Sequence, residues 1–270
     1  VTFAAGELGA LLFAVARLPV SIISGFCVSM MLLLLSDLPF HLVILHSIPI
    51  TLVTMAGFAV NDILDVEKDR KAGAAKPIAK GNVAVAAAGQ LAEFLLTCSV
   101  GLTIFLQDEH AVYVIAVSIL GVLVYSDLSR NFPMLKGVAT AVLCCSPLAY
   151  GSVVAKVPVP VVTYLCLIVF IAGRELLLDV LDLEGDVRAG IRTIPARLGA
   201  PQSRLIGWML MVLGLIALAI ISPGVSRYIL VGAILSLGLV GFVYRRSEAV
   251  GLDWSRVTLI LGIVAVPMSL

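Results

Sequence analysis

Two short stretches of this sequence concentrate side chains able to hold a cation. The first reads Asn61-Asp62-Ile63-Leu64-Asp65-Val66-Glu67-Lys68-Asp69-Arg70. At about 100° per residue, Asn61, Asp62, Asp65 and Asp69 fall within roughly a 100° sector of a helix. The second runs from Arg174 to Asp186, with Glu175, Asp179, Asp182 and Asp186 at offsets of 0, 4, 7 and 11. Those four stay within about 60° of one another, while Glu184 points the opposite way. Carboxylates stacked this closely repel, and apolar surroundings add a desolvation cost, so something cationic must compensate. Lys and Arg from the adjoining loops would suffice for a single acidic helix end. Two columns in equivalent places point instead to a metal.

Carboxylate and amide oxygens are hard ligands, and neither stretch contains His or Cys, so Mg²⁺ is the expected ion. Magnesium tends to bind through a few carboxylates plus phosphate oxygens of a substrate. The substrate is then a phosphorylated molecule whose other end enters a membrane. A polyprenyl diphosphate has this chemistry, with an anionic head for the metal and an apolar tail for the helices.

The elements that must position these columns are membrane helices. The chain is 61% hydrophobic and 13% charged, against about 25% charged residues in a soluble domain, and its mean hydropathy is +1.13. Apolar runs of about 20 residues recur, the length a helix needs to cross the hydrocarbon core. Breaks divide the chain into about nine candidate helices, at 16–36, 41–65, 83–106, 111–128, 134–155, 159–182, 204–222, 228–244 and 256–270. The expected fold is an all-α polytopic membrane protein, one domain over residues 1–270, with the lipid bilayer as its surroundings. The stretch Leu8–Leu35 exceeds one span, and Arg17 with Pro19 divides an interfacial segment from the crossing proper. This first run also continues past signal-peptide length, so no cleavable leader is read in it.

Charge sets the orientation. After spans two, four, six and eight come Lys68, Arg70, Lys71, Lys76 and Lys80, then Arg130 and Lys136, then Arg188, Arg192, Arg197 and Arg204, then Arg245, Arg246 and Arg256. The alternate connections are short and poor in cations. The positive-inside rule therefore places the N-terminus and both acidic segments on the cytoplasmic side. A formal charge of +1 argues against nucleic acid as a partner. The cysteines Cys27, Cys98, Cys144, Cys145 and Cys166 lie in apolar runs without ligand spacing, as packing residues do.

At these residues the chain resembles the UbiA superfamily of intramembrane prenyltransferases. Asn61, Asp62, Asp65 and Asp69 match its first motif, NDxxDxxxD, without a gap. Glu175, Asp179, Asp182, Gly185 and Asp186 resemble the second, although Glu175 takes the first acidic position and the strict DxxxDxxxD form is altered. Lys76-Pro77-Ile78-Ala79-Lys80-Gly81 stands where the family has an RPLPSG-like loop. Tyr125 through Arg130 resembles its Tyr–Lys element, and Thr193-Ile194-Pro195-Ala196-Arg197-Leu198-Gly199 the turn after the second motif. The ordered set, spread over nearly the whole chain, is far more specific than a lone NDxxD.

The resemblance implies nine helices around a central cavity with a cytoplasmic polar cap. It implies two Mg²⁺ ions, held by Asn61, Asp62, Asp65 and Asp69 on one side and Asp179, Asp182 and Asp186 on the other. The metals would bind the diphosphate and neutralise charge building on the leaving group. Lys68, Lys76, Lys80, Arg130 and Arg192 are the further diphosphate ligands, and Asp65, Asp69, Asp179, Asp182 and Tyr125 the catalytic candidates. Transfer goes to a lipophilic acceptor, either an aromatic quinone precursor or geranylgeranylglyceryl phosphate, to whose prenylating members the stretch 174–186 is similar.

Two other outcomes compete. The same ionisation followed by ring closure gives a terpene cyclase. An ion or metabolite transporter would line a pathway with intramembrane acids, but transporters usually show internal repeats and place the site near the midplane. These acids gather at one face. Arg174 either pairs with a carboxylate or snorkels to the interface. His41, His46 and His110 fall near the opposite face, where interfacial or packing roles outweigh catalysis. Gly57, Gly121, Gly137 and Gly151 suit close helix packing.

Overall fold

The structure, a computed structural model, describes residues 9–243, and every regular element among them is helical. After a π-helical turn at Ala10–Val15 come α1 (Leu18–Leu35), α2 (Phe40–Leu64), α3 (Val66–Ala72), α4 (Val85–Phe105) and α5 (Glu109–Asn131). Next are α6 (Lys136–Cys144), α7 (Ser146–Val154), α8 (Val161–Leu181), α9 (Leu183–Arg188), α10 (Ile194–Leu198), α11 (Ala200–Ile221) and α12 (Gly224–Val243).

Among the described residues, 7 helical stretches are long and apolar enough to cross a membrane, and they occupy the first seven expected spans. Helix α12 stands at the eighth, with a shorter apolar stretch over Gly224–Leu235. The expected span 256–270 lies outside the described residues. The fifth span is two helices rather than one. Pro147 lacks the N–H that would bond the Leu143 carbonyl and its ring crowds that turn, so α6 stops at Cys144 and α7 restarts at Ser146.

The chain forms two compact units. The first comprises the described residues up to Asp127 together with Ser146–Val157. Here the π-helical turn and α1 meet at Arg17, whose backbone is left-handed (φ 48), at the place where the sequence divides the long first stretch. Leu11 and Val15 from that turn, Ala56 and Ala59 from α2, Ala88 from α4 and Ile78 from the 76–81 loop share one buried cluster. That packing holds Arg17 and Lys76 beside the end of α2. Gly151 of α7 seats α1, since a Cβ there would lie 2.8 Å from Met31 Sδ.

The second unit comprises Leu128–Cys145 and the described residues from Pro158 onward. Helices α8 and α11 cross backbone to backbone. A Cβ on Gly173 would sit 2.6 Å from the Gly207 carbonyl oxygen, and one on Gly207 2.9 Å from the Gly173 carbonyl oxygen. Small residues at such a crossing allow the close van der Waals contact that drives association in lipid. Gly137 brings α6 against α8, where an added Cβ would meet Glu175 Cβ at 3.4 Å.

Candidate active site

The first acidic segment straddles a helix joint. Asn61 and Asp62 close α2, Asp65 is the joint residue (φ −86, ψ 0), and Asp69 lies on α3. Although the helix is interrupted, Asp65 N–H still donates to the Asn61 carbonyl (2.9 Å) and Asp69 N–H to the Asp65 carbonyl (2.8 Å). One bond every four residues keeps the carboxylates in register across the joint. Gly73 then ends α3 in a left-handed conformation (φ 69), which glycine adopts without a Cβ clash.

Asp62 and Asp69 are buried, Asp62 to 2% exposure. Two cations converge on them. Lys76 Nζ lies 3.0 Å from Asp62 Oδ1 and 2.9 Å from Asp69 Oδ2. The Arg17 guanidinium lies 3.1 Å from the same Asp62 Oδ1 and 4.6 Å over the Phe58 ring centroid. Burial alone lowers the Lys76 pKa, but the Asp62 charge and hydrogen bonds to Asp69 and Asp62 outweigh it, and the net direction is upward. Asp62 Oδ2 is buried with no hydrogen-bond partner among the described residues. A buried anionic oxygen left over in this way is costly unless a further cation or donor arrives.

The second acidic segment repeats the arrangement. Asp179 lies on α8, Asp182 is the joint residue (φ −83, ψ −2), and Asp186 lies on α9. Asp186 N–H donates to the Asp182 carbonyl at 2.9 Å, and Gly190 closes the turn at φ 71. Asp179 and Asp186 are buried while Asp182 is exposed. Lys136 Nζ lies 3.0 Å from Asp179 Oδ1. Glu175 pairs with Arg174 at 2.9 Å, which settles Arg174 as an ion-pair partner. The oxygens of both segments suit a hard divalent cation. Among the described residues, no three His, Cys, Asp or Glu side chains converge tightly enough to hold an ion by themselves.

The other expected residues lie on α3, on the adjoining loops and on α5. Lys68 is half-buried on α3, Lys80 is exposed on the 76–81 loop, and Arg192 is exposed between α9 and α10. Tyr125 is half-buried on α5, and Arg130 is the next-to-last residue of that helix. Arg17 and Lys136 are the partners that sequence reasoning missed. Both read as boundary or topology charges, and the signal that singles them out is a cation placed just before an apolar span.

A membrane-spanning helical chain with two buried carboxylate pairs at matched helix joints is the class defined by this geometry. Residues 21–251 match the UbiA prenyltransferase family, and the chain belongs to that family. It is similar to the digeranylgeranylglyceryl phosphate synthase of Methanoculleus marisnigri, 28% identical over 59% of this chain and 58% of that one. The enzyme of the same name from Methanoregula boonei is 27% identical over 73% of this chain and 71% of that one. The match thus spans less than two thirds of the Methanoculleus protein's length. Among solved structures, a UbiA homologue from Aeropyrum pernix K1 superposes with a TM-score of 0.72 at 20% identity, covering 93% of this chain and 98% of that one. A homologue from Archaeoglobus fulgidus, solved with GPP and Mg²⁺, gives 0.67 at 15% identity, covering 97% and 100%. These likenesses show the fold.

Proposed function

We propose that this chain, acting as one domain over residues 1–270, is a Mg²⁺-dependent intramembrane prenyltransferase. It moves a polyprenyl group from its diphosphate to a lipophilic acceptor, and we take geranylgeranylglyceryl phosphate as that acceptor. The observation that carries the reading is the repeated joint, which buries Asp62 and Asp69 in one segment and Asp179 and Asp186 in the other. The Archaeoglobus homologue's GPP and Mg²⁺ and the names of the curated relatives support donor, metal and acceptor respectively.

Mg²⁺ held by Asn61, Asp62, Asp65 and Asp69, and by Asp179, Asp182 and Asp186, would supply positive charge for the diphosphate. The unpartnered Asp62 Oδ2 fits such an ion. Lys76 sits between two carboxylates and can donate to a phosphate oxygen from the same place. Lys68, Lys80, Arg130 and Arg192 add donors for the diphosphate. Tyr125, at the same end of α5 as Arg130, is a further donor for the leaving group. The allylic C–O bond breaks with its electron pair leaving on the diphosphate, and the acceptor hydroxyl attacks the allylic carbon and loses its proton. Apolar walls keep water from capturing the cation first. The cationic loops and the N-terminus face the cytoplasm in this reading.

The test is release of diphosphate from geranylgeranyl diphosphate by purified protein, with and without Mg²⁺. Parallel reactions offer geranylgeranylglyceryl phosphate, 4-hydroxybenzoate or no acceptor. Magnesium-dependent release that requires the glyceryl phosphate is expected. Release without any acceptor would replace the reading with cyclisation, and no release from donors of any length would overturn it.

A further inference from the structure

The polar groups that the acidic segments leave unused gather at the other end of the first unit. His46 lies sixteen residues before Asp62 on α2, about 24 Å along the helix axis. It lines a cavity of about 380 Å³ with Gln107, Asp108, Glu109, His110 and Lys156, between the end of α4, the start of α5 and the end of α7. Aliphatic side chains such as Leu106 and Val153 form the remaining wall.

Three features mark this cavity as built for a ligand. His46 is only 7% exposed, and its Nδ1 is buried without a hydrogen-bond partner among the described residues. Gln107 (φ 55) and Lys156 (φ 57), two of the three described non-glycine residues with a left-handed backbone, both line it. Strain of that kind concentrates at binding sites. Charges of both signs also share the rim, with Lys156 opposite in sign to Asp108 and Glu109. Asp108 Oδ1 already accepts the Ala111 N–H at 3.0 Å, which leaves its other oxygen for a ligand. The acids and histidines do not converge as a metal cage would require.

A ligand that satisfies both signs carries an anionic and a cationic group a few bonds apart. The cavity opens where membrane-crossing helices end, at the depth where lipid headgroups stand. We propose that it binds the headgroup of a membrane phospholipid bearing a phosphate and a primary ammonium. Lys156 and a proton on His46 Nδ1 donate to the phosphate, and Asp108 and Glu109 accept from the ammonium. The aliphatic wall takes the start of the lipid chains. This site is independent of the transferase reading, since none of its residues serves the acidic segments.

The test titrates the full chain in detergent with short-chain phosphatidylethanolamine, phosphatidylcholine and phosphatidylglycerol, reading bound lipid by native mass spectrometry. Phosphatidylethanolamine should bind tightest. Glu109→Gln and Lys156→Met lie at exposed positions. Glu109→Gln, facing the ammonium, should weaken phosphatidylethanolamine about fivefold, the worth of one charge-assisted hydrogen bond, and leave the other two lipids unchanged. Lys156→Met, facing the shared phosphate, should weaken all three by about that factor. Thermal midpoints of the variants, measured without lipid, keep loss of folding apart from loss of binding. Equal affinity for the three lipids, a preference untouched by Glu109→Gln, or affinities untouched by Lys156→Met would overturn the proposal. Equally tight binding of free phosphoethanolamine would overturn the lipid as source.

Discussion

The two acidic segments are near copies in backbone and differ in the side chain that follows them. Asp62, Asp65 and Asp69 have the same spacing as Asp179, Asp182 and Asp186. Each middle residue sits at a helix joint with ψ near zero, each outer pair is buried, and each segment ends four residues later in a left-handed glycine. The 74–69 and 191–186 backbone bonds that close these turns measure 2.8 and 2.9 Å. Even the cation ahead of each segment corresponds. Arg17 reaches Asp62 across 45 residues, and Lys136 reaches Asp179 across 43. The difference comes seven residues after the last aspartate. In the first segment that position is Lys76, which bridges both buried carboxylates. In the second it is Thr193, buried with a hydroxyl that has no hydrogen-bond partner among the described residues. A shared backbone plan therefore carries different side chains at this corresponding position, a lysine paired to both buried carboxylates in one segment and a buried threonine in the other.

Breaking the shared plan should cost most. Asp62→Ala and Asp179→Ala should each lower Mg²⁺-dependent diphosphate release by about 100-fold or more, as loss of a metal-holding group does. Thermal midpoints near that of the wild type would show that folding survives. Asp65→Ala, at the joint, should likewise abolish turnover, and near-normal activity would remove it from the ligand set. Next come substitutions that sharpen the contrast. Lys76→Met should raise the donor concentration for half-maximal rate about tenfold, through loss of a charged donor, whereas Thr193→Val should leave it unchanged. Equal effects of the two would mean that having Lys76 in one segment and Thr193 in the other has no bearing on donor binding.

Smaller effects probe the backbone and pH. Gly73→Ala and Gly190→Ala should each cost about 1 kcal/mol, because both impose a Cβ on a left-handed residue. Unequal losses in thermal unfolding would mean that the two turns are not equivalent. Lys76 titrates above its ordinary value of 10.5. Its ion pairs thus contribute stability that is fully present below that value and lost as pH rises through the raised one. Lys76→Met should flatten the alkaline fall in thermal midpoint while leaving the neutral range without a step.

The spans and the carboxylate columns were legible in the sequence because both are periodic. Apolar runs of membrane-crossing length announced the first seven spans, and the 3.6-residue period placed Asp62 beside Asp69 and Asp179 beside Asp186. The joints were not legible, since Asp65 and Asp182 keep the helical bonding register and no Pro or Gly marks the break. Pro147 did mark one, inside an apolar run long enough to pass for a single helix. Arg17 and Lys136 escaped notice because each meets its aspartate more than forty residues away, a distance that local pattern cannot bridge. The kinship of the two segments was obscured by Glu175, which drew attention to a column one turn too early. It is taken up by Arg174.

Mg²⁺-dependent release of diphosphate, as proposed, needs the carboxylates of both segments. Mg²⁺ titration of diphosphate release, for the wild type, Asp62→Asn and Asp179→Asn at saturating donor and acceptor, tests that requirement most directly. The account predicts that each variant, with only one segment altered, loses Mg²⁺-dependent release by about 100-fold or more. A variant that keeps the wild-type rate and Mg²⁺ dependence would show that one segment alone carries the chemistry, and the two-segment account would fail.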